Sequence, residues 1–487
     1  MLFNSLGFLI FLPIVFIIHW LLLKKKHKHQ NLFLLLSSYF FYSCWDYRFL
    51  FLLVFSTLLD YFTGIKISKS TSSRKRKIWF LISIGVNLGV LFVFKYYNFF
   101  LDSFQVLLTN VGFKSNNFTL SLVLPIGISF YTFHGVSYVI DVYKKRINHE
   151  SNFVDYSLFV SFFPLLVAGP IERATHLLPQ LKSERVMSYS SFNIGLKQIL
   201  WGLFKKVVIA DQSAEIANLI FDHPQDYSGA SLYIGAVFFA FQIYGDFSGY
   251  SDIALGTAKL FGVNLLKNFS YPYFSRSIAE FWRRWHISLS SWFRDYVYIP
   301  LGGSKTNKYK SIRNIFIIFL LSGFWHGANW TFIFWGGINA IYFLPGLLLK
   351  KNRQNIEIVA KDSRYPSFFE LFTIIRTFIL VVLAWVFFRS PNIQFAFNYI
   401  FNIFHSLFTK KSFLDLYNLF YWKIQWQLPL LLVLFFVVEW GGRMFDFGLK
   451  QTFSSKPRFF RWSFYYLLIF LIIYFSGSEQ QFIYFQF

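Results

Sequence analysis

Long apolar segments alternate with short basic ones along the chain. Several segments reach the roughly 20 residues that a helix needs to cross a bilayer. Helices satisfy their own backbone hydrogen bonds, as any lipid-exposed segment must. The pattern therefore predicts an all-α, polytopic integral membrane protein with roughly ten to twelve transmembrane or re-entrant helices. The apolar segments are residues 1–23, 31–45, 49–65, 78–94, 120–143, 153–169, 192–220, 231–244, 315–349, 368–388, 428–438 and 464–475.

Two polar stretches, residues 350–366 and 409–426, are predicted to be connections rather than domains. We therefore expect one membrane domain, residues 1–487. Segments that Gly or Pro interrupts are expected to be short, broken or re-entrant helices, whose backbone must be covered by protein or water.

Composition excludes a soluble fold. Hydrophobic residues make up 55% of the chain, including 69 Phe, 29 Tyr and 15 Trp, which is more apolar surface than a soluble domain hides. The only cysteine, Cys44, excludes an intrachain disulfide and any multi-cysteine metal site.

The net charge of +24 comes largely from basic runs between apolar segments. Runs at residues 24–28, 66–77 and 144–146 are separated by segments that allow an even number of crossings, so all three fit one cytoplasmic side if the N-terminus is outside. Membrane orientation and attraction to anionic lipid account for this charge. We expect the lipid bilayer to be a partner and nucleic acid not to be one.

Residues 275–298 have a different pattern. Aromatic and aliphatic side chains recur there at the spacing of one helix face, while Arg283, His286, Ser290 and Arg294 fall on the other. The pattern predicts an amphipathic helix that lies at the headgroup level or covers a cavity.

His326 lies inside the apolar segment 315–349. Ionisable side chains are costly at membrane depth, so this histidine indicates a functional site. Ser322 and Asn329 stand four residues before and three residues after it, which places all three on one face of a regular helix. Glycines beside that face allow another helix to pack closely, so a structural polar seam is the alternative.

Three further polar residues are candidates for a chemical role. Asp246 and Asp252 do not share a face of a regular helix; acid–base work or cation binding is one interpretation, and hydrogen-bonded helix termini are favoured. His134 is interpreted as a packing histidine with its hydrogen bonds satisfied.

We predict no metal site. The motifs of phosphate-binding loops, zinc peptidases and serine hydrolases are absent from the sequence.

Five segments, in this order, resemble the membrane-bound O-acyltransferase family, and more narrowly its bacterial branch with alginate O-acetylases and the D-alanyl transferase of teichoic acids. They are PIGISFYTFHGVSYVIDVY (125–143), FFPLLVAGPIER (162–173), GDFSGYSDIALG (245–256), FWRRWHISLSSWFRDYVYIPLGG (281–303) and SGFWHGANWTFIFWG (322–336). The closing FIYFQF, residues 482–487, also resembles that branch. The motif-rich core spans about 120–350.

The resemblance implies that His326 is the family's catalytic histidine and that His286 is its second characteristic histidine. It also implies a ring of helices around a central funnel, with the acyl donor entering from the cytoplasmic side. A separate periplasmic or membrane-anchored acyltransferase would finish esterification of the polysaccharide acceptor. The expected location is the bacterial inner, or cytoplasmic, membrane.

A neutral imidazole suits the proton removal that thioester transfer requires. Burial is expected to keep His326 neutral, and Ser322 or Asn329 would orient its ring. Three basic side chains near His286 are candidates for holding the phosphates of coenzyme A, with headgroup anchoring as the alternative. They are Arg283, Arg284 and Arg294.

The predicted function is transfer of acetyl from a cytoplasmic thioester toward O-acetylation of an exported, alginate-like polysaccharide. Acetyl-coenzyme A is the expected donor substrate, with no bound cofactor. D-alanyl transfer to teichoic acid, from a carrier-protein donor, is the alternative within the family. A transporter of lipid-linked sugar is the alternative outside it, although transporters often have related halves and this chain shows no such symmetry.

Overall fold

The computed structural model describes residues 1–23, 26–113, 119–477 and 480–483. Within these ranges regular structure is helical and contains no β-strand, which confirms the predicted all-α class. Two predicted features lie outside the described residues: Lys24 and Lys25 of the first basic run, and residues 484–487 of the closing motif.

Five helices are long and apolar enough to cross a membrane, or six if the bent pair Lys410–Ile424 and Gln427–Gly442 forms one span. These helices confirm a multi-pass membrane protein. Other apolar segments are shorter or interrupted in the described chain, so fewer than ten of its helices are long enough to cross a bilayer alone. The five are Tyr47–Lys69, Ser73–Asn110, Gly229–Leu260, Trp330–Leu348 and Phe368–Arg389.

The chain forms two compact units, and the first comprises Met1–Gly195 with Thr257–Leu266. Polar side chains inside it bond to one another: Asp60 accepts from Ser83 at 2.6 Å and from Asn87 at 2.7 Å. Its helices are α1 (Leu6–Ile17), α2 (His27–Ser43), α3 (Tyr47–Lys69), α4 (Ser73–Leu91), α5 (Tyr97–Asn110), α6 (Ile128–Tyr143), α7 (Phe153–Ser161), α8 (Phe163–Leu166), α9 (Ala174–Lys182) and the start of α10 (Tyr189–Leu203).

The second unit comprises Leu196–Gly256 and Lys267–Phe487. It holds both histidines of interest. After the end of α10, its helices are α11 (Asp211–Asp222), most of α12 (Gly229–Leu260), α13 (Ile278–Arg284), α14 (Ile287–Phe293), α15 (Lys308–His326), α16 (Trp330–Leu348), α17 (Phe368–Arg389), α18 (Ile393–Ser406), α19 (Lys410–Leu419), α20 (Gln427–Gly442) and α21 (Arg458–Tyr474). The prediction of a single domain stays a prediction.

Polar residues begin the long helices of the second unit. Asn307, Asn329 and Ser367 each accept a backbone N–H from the first turn of α15, α16 and α17. Ser367 and Glu370 also form a reciprocal capping box. These side chains satisfy backbone donors that a helix start leaves without an intrahelical partner.

Among the predicted segments that are broken are the two that carry the histidines, and one other segment is extended. Residues 315–349 form α15 and α16 rather than one helix, and residues 275–298 form α13, α14 and a π-helical turn, Arg294–Tyr298. By contrast, α12 continues through GDFSGYSD to Leu260. The stretch 409–426, predicted as a connection, contains α19 and the π-helical turn Phe420–Ile424, because Thr409 caps a new helix there.

Glycines allow α15 and α16 to approach each other closely. A Cβ atom at Gly323 would lie 2.2 Å from the carbonyl oxygen of Phe332, and one at Gly336 would lie 2.3 Å from that of Phe319. Real Cβ contacts are never this short, so only glycine fits at these two positions. Close backbone approach at small residues is a recurring way to pack membrane helices. The predicted close packing beside the face of His326 is confirmed at Gly323, whereas Gly327, the other glycine of that predicted strip, lies beyond the end of α15 and faces the ring of Phe332.

We expect Gly336→Ala to destabilise the protein by about 1–3 kcal/mol, the usual cost of forcing atoms into a packed interface. The added methyl must displace a helix backbone rather than a flexible side chain. Thermal unfolding of the detergent-solubilised protein measures the effect.

Gly337→Ala is the matched control, because its Cβ would meet only Leu320 Cδ2, at 3.8 Å. We expect this variant to be neutral or slightly stabilised, since alanine favours helix over glycine by up to about 1 kcal/mol. Equal losses in the two variants would show that close backbone approach is not what Gly336 provides.

Candidate active site

His326 is the last residue of α15, and the backbone turns directly after it. Gly327 is extended, with φ −162° and ψ 155°, and α16 begins at Trp330. The side chain of His326 is only 4% exposed. Ser322 lies one helical turn earlier, is buried, and shares the face of His326 as predicted.

The predicted place of Asn329 on that same face is wrong. It lies beyond the end of α15, where its Oδ1 accepts from the backbone N–H of Thr331 at 3.0 Å. Its Nδ2 donates to the carbonyl oxygen of Pro391 at 2.9 Å. Asparagine is a strong N-cap residue, and here it begins a second helix instead of continuing the first. An orienting role for Ser322 stays a prediction.

His286 forms the turn between α13 and α14. Its backbone is left-handed, with φ +44° and ψ 54°, which is uncommon for any residue with a side chain. Its side chain is 1% exposed, so the predicted place on the polar face of a continuous amphipathic helix is wrong. The left-handed turn redirects the imidazole from that face into the protein.

Asn268 holds the start of α14 directly after His286. Its carbonyl oxygen accepts from the backbone N–H of Ile287 at 2.9 Å, and its Oδ1 accepts from Ser288 Oγ at 2.6 Å. The sequence reasoning missed Asn268, because neither helical periodicity nor a motif connects it with a turn 18 residues later.

The two imidazoles are neighbours. The ring centroids of His286 and His326 lie 6.3 Å apart, with their planes inclined by 60°. The structure therefore brings together the two histidines that the sequence singled out, from segments that are 40 residues apart. Their catalytic roles stay predictions.

Aromatic rings surround both imidazoles. Trp325 lies beside both, with its ring centroid 5.0 Å from that of His326 and 5.8 Å from that of His286. These apolar neighbours leave little room for bulk water, so the two imidazoles lie in a dry environment. The other rings are Phe247, at 4.7 Å from His286, and Trp335 and Phe388, both at 5.3 Å from His326.

Burial determines the charge of His286, which lies outside the candidate membrane spans. Desolvation lowers its pKa to about 3, because a buried imidazolium loses the water that stabilises its charge. The side chain is therefore neutral at physiological pH.

Two of the three candidate arginines are bound within the protein. Arg284 is buried and donates to Glu280 at 2.8 and 3.1 Å. Arg283 donates to backbone carbonyl oxygens in the connection 350–366, of which Asn352 is the nearest at 2.6 Å. The exposed guanidinium of Arg294 pairs with Asp295 at 2.7 Å. Binding of donor phosphates by these side chains stays a prediction.

Asp246 and Asp252 lie in the interior of α12 and form ion pairs. Lys205 Nζ lies 2.6 Å from Asp252, and Lys206 Nζ lies 2.9 Å from Asp246. The favoured interpretation as helix termini is wrong, because the glycines of this stretch accept close backbone neighbours without breaking the helix. The two lysines are consecutive in the sequence, and no periodic pattern predicted that they would pair with these aspartates.

His134 has the environment of a packing histidine: its Nε2 accepts from the backbone N–H of Glu172 at 3.0 Å. Among the described residues, no group of three or more His, Cys, Asp or Glu side chains is arranged to hold a metal ion.

Comparison with known proteins identifies the family. The model of the membrane-bound O-acyltransferase family matches residues 143–384. The probable alginate O-acetylase AlgI of Pseudomonas putida is 39% identical over 398 residues, which cover 81% of this chain and 79% of that protein. The peptidoglycan O-acetyltransferase of Helicobacter pylori is 37% identical over 425 residues, covering 81% and 78%.

A more distant relative is the teichoic acid D-alanyltransferase of Streptococcus thermophilus, which is 30% identical over 267 residues, covering 50% of this chain and 62% of that protein. The matched family region contains α13 to α16 and therefore both buried histidines. The chain thus belongs to the membrane-bound O-acyltransferase family and is a multi-pass membrane O-acyltransferase.

Proposed function

We propose that this enzyme takes acetyl from a cytoplasmic thioester, acetyl-coenzyme A, toward O-acetylation of an exported, alginate-like polysaccharide. The observation that carries the proposal is the pair of buried imidazoles 6.3 Å apart, within a family of O-acyltransferases. The bacterial inner membrane is the proposed location, since a cytoplasmic donor and an exported acceptor meet there.

The proposed chemistry assigns His326 as general base. Its neutral imidazole takes the proton of an acceptor hydroxyl, whose oxygen attacks the thioester carbonyl. The C–O bond of the ester forms as the C–S bond breaks, and the proton passes to the leaving thiolate. His286 contacts the same site and would place the donor or acceptor. The aromatic surroundings protect the thioester from hydrolysis by excluding water.

Exposure divides the roles that we propose for the three arginines. Arg294 is exposed and would reach the phosphates of coenzyme A, which need charge-assisted hydrogen bonds. Arg283 is also exposed, but it would have to exchange its bonds to backbone carbonyl oxygens for bonds to phosphate. Arg284 is buried against Glu280 and would act by supporting the turn at His286.

Acetyl is favoured over D-alanyl as the group transferred. Relatives named as acetylases or acetyltransferases match 81% of the chain, whereas the D-alanyltransferases match 50% and 45%. Membership in a family of enzymes also disfavours a transporter without transfer chemistry. We further propose that a separate periplasmic or membrane-anchored acyltransferase finishes the esterification.

His326→Ala is expected to lower acetyl transfer by at least ~10²-fold, the lower range for loss of a general base. Protein abundance in the membrane should stay unchanged. Acetyl transfer is measured as the O-acetyl content of the surface polysaccharide, and abundance is measured as the amount of this protein in the membrane fraction.

His405→Ala is the matched control, because this histidine lies exposed near the end of α18. Normal acetylation is expected there. His326→Gln retains a polar side chain of similar size and should be as inactive as the alanine variant. Normal O-acetylation in the two His326 variants would contradict the assignment of the base.

The donor is tested with purified protein in vesicles. Labelled acetyl-coenzyme A should lose its label to an acceptor in the wild type and not in His326→Gln. Labelled D-alanyl carrier protein is the parallel donor. If only the carrier protein donates its label, the group transferred is D-alanyl rather than acetyl. If no thioester donates its label, the proposal of a thioester donor is wrong.

The pH dependence separates the two histidines. Because burial lowers the pKa of His286 to about 3, this side chain stays neutral from about pH 5 to 8, where an ordinary histidine titrates. His286→Gln should therefore lower the transfer rate without moving the acid limb of the pH–rate profile. Initial rates across that range test this, and a displaced acid limb would assign the titration to His286.

A further inference from the structure

A large apolar groove lies between α17 and α20, away from the paired histidines. Its volume is about 950 Å³, within the ~300–1,000 Å³ of ligand pockets in proteins. Ile374 and Phe378 of α17 and Val433 and Phe436 of α20 form much of its wall.

The helices that wall the groove are apolar enough to cross the membrane. Phe368–Arg389 is one candidate span, and Gln427–Gly442 belongs to the bent pair. At the opening, Ile375, Val433 and Val437 are 50%, 58% and 61% exposed. Such a surface faces lipid rather than water, so the occupant of the groove comes from the bilayer.

One end of the groove is basic. The helix α17 begins at Phe368 and α20 ends at Gly442, and Arg364 and Arg443 lie just beyond these ends. Among the described residues that line the groove, Arg364 and Arg443 are the only ones with charged side chains. The adjoining connection, residues 350–366, carries five basic and two acidic side chains, hence a net charge of +3 (5 − 2).

This basic end is rigidly built. Arg443 lies over the ring of Trp440, 4.3 Å from its centroid, and donates to the carbonyl oxygens of Val359, Ala360 and Ser363 at 2.8–3.0 Å. Trp440 Nε1 donates to the carbonyl oxygen of Arg364 at 2.9 Å. The Arg364 side chain extends over Tyr365, which is itself exposed. Tryptophan, tyrosine and arginine together are typical of the lipid headgroup level.

We propose that this groove binds an anionic glycerophospholipid. Its acyl chains fill the apolar groove, and its phosphate contacts Arg364. Arg443, which mainly binds backbone carbonyl oxygens, adds positive charge at the same end. Hydrocarbon alone would leave the two guanidinium groups without a counter-ion. A lipid with no net charge would match the apolar walls but not the basic end.

The bound lipid would also support the active site. Tyr273 lines the groove, and its ring centroid lies 6.0 Å from that of Trp285, the residue before His286. Filling the groove packs the outer side of this aromatic wall. The inference does not depend on the proposed acetyl chemistry, because its test measures lipid binding.

The test uses the purified full-length protein, delipidated in a neutral detergent. Native mass spectrometry and thermal unfolding are followed during titration with phosphatidylglycerol, phosphatidylcholine or inorganic phosphate. Phosphatidylglycerol should bind and raise the melting temperature, while the other two should have little effect. In Arg364→Ala the affinity for phosphatidylglycerol should fall about tenfold, as expected for loss of one charge-assisted contact.

Lys361→Ala is the matched control for charge. Lys361 lies in the same connection, pairs with Glu357, and does not line the groove. Ile375→Trp narrows the groove without removing charge and should also weaken binding, whereas Phe372→Trp, at a position of α17 that does not line the groove, should not.

Three results would overturn the proposal. They are equal protection by phosphatidylcholine, protection by inorganic phosphate alone, and wild-type binding of phosphatidylglycerol in both Arg364→Ala and Ile375→Trp. Because the two variants act through different contacts, failure of one to fold leaves the other as a test.

Discussion

The close backbone contact between α15 and α16 determines where His326 lies. Gly323 and Gly336 bring the two helices too near for any Cβ atom between them. Only residues 327–329 separate the two helices in sequence. His326 stands at the end of a helix that is packed tightly against the next one, so backbone packing and the surrounding aromatic rings together fix its position.

Interrupted helices carry a cost that the aromatic residues offset. Helix ends leave backbone groups without intrahelical partners, and such groups are tolerated at membrane depth only where protein covers them. Here Trp325, Trp335 and Phe388 pack around His326, and the left-handed turn at His286 is secured by Asn268. The same rings that cover the breaks make the site dry. Burial of this kind suits the proposed thioester transfer, because hydrolysis by water would compete with it.

The sequence predicted what depends on composition and spacing. Apolar runs revealed the membrane helices, and the cost of placing an ionisable group at membrane depth singled out His326. Periodicity failed where a single residue redirects the backbone. Nothing in a regular helical pattern shows that His286 takes a left-handed turn, or that Asn329 caps a new helix. Long-range pairs such as Asn268 with Ser288 depend on the tertiary fold and leave no periodic signal.

Basic side chains in this protein also hold an irregular connection in place. Glu280, 1% exposed, accepts from Arg276 and Arg284, and both arginines also donate to the carbonyl oxygen of Glu357. These bonds join α13, directly before the turn at His286, to the connection 350–366. Arg443 binds the other end of that connection at the end of α20. A single irregular segment is thus held by arginines on both sides. The segment therefore connects the helix before the histidine turn with the basic end of the groove through direct hydrogen bonds.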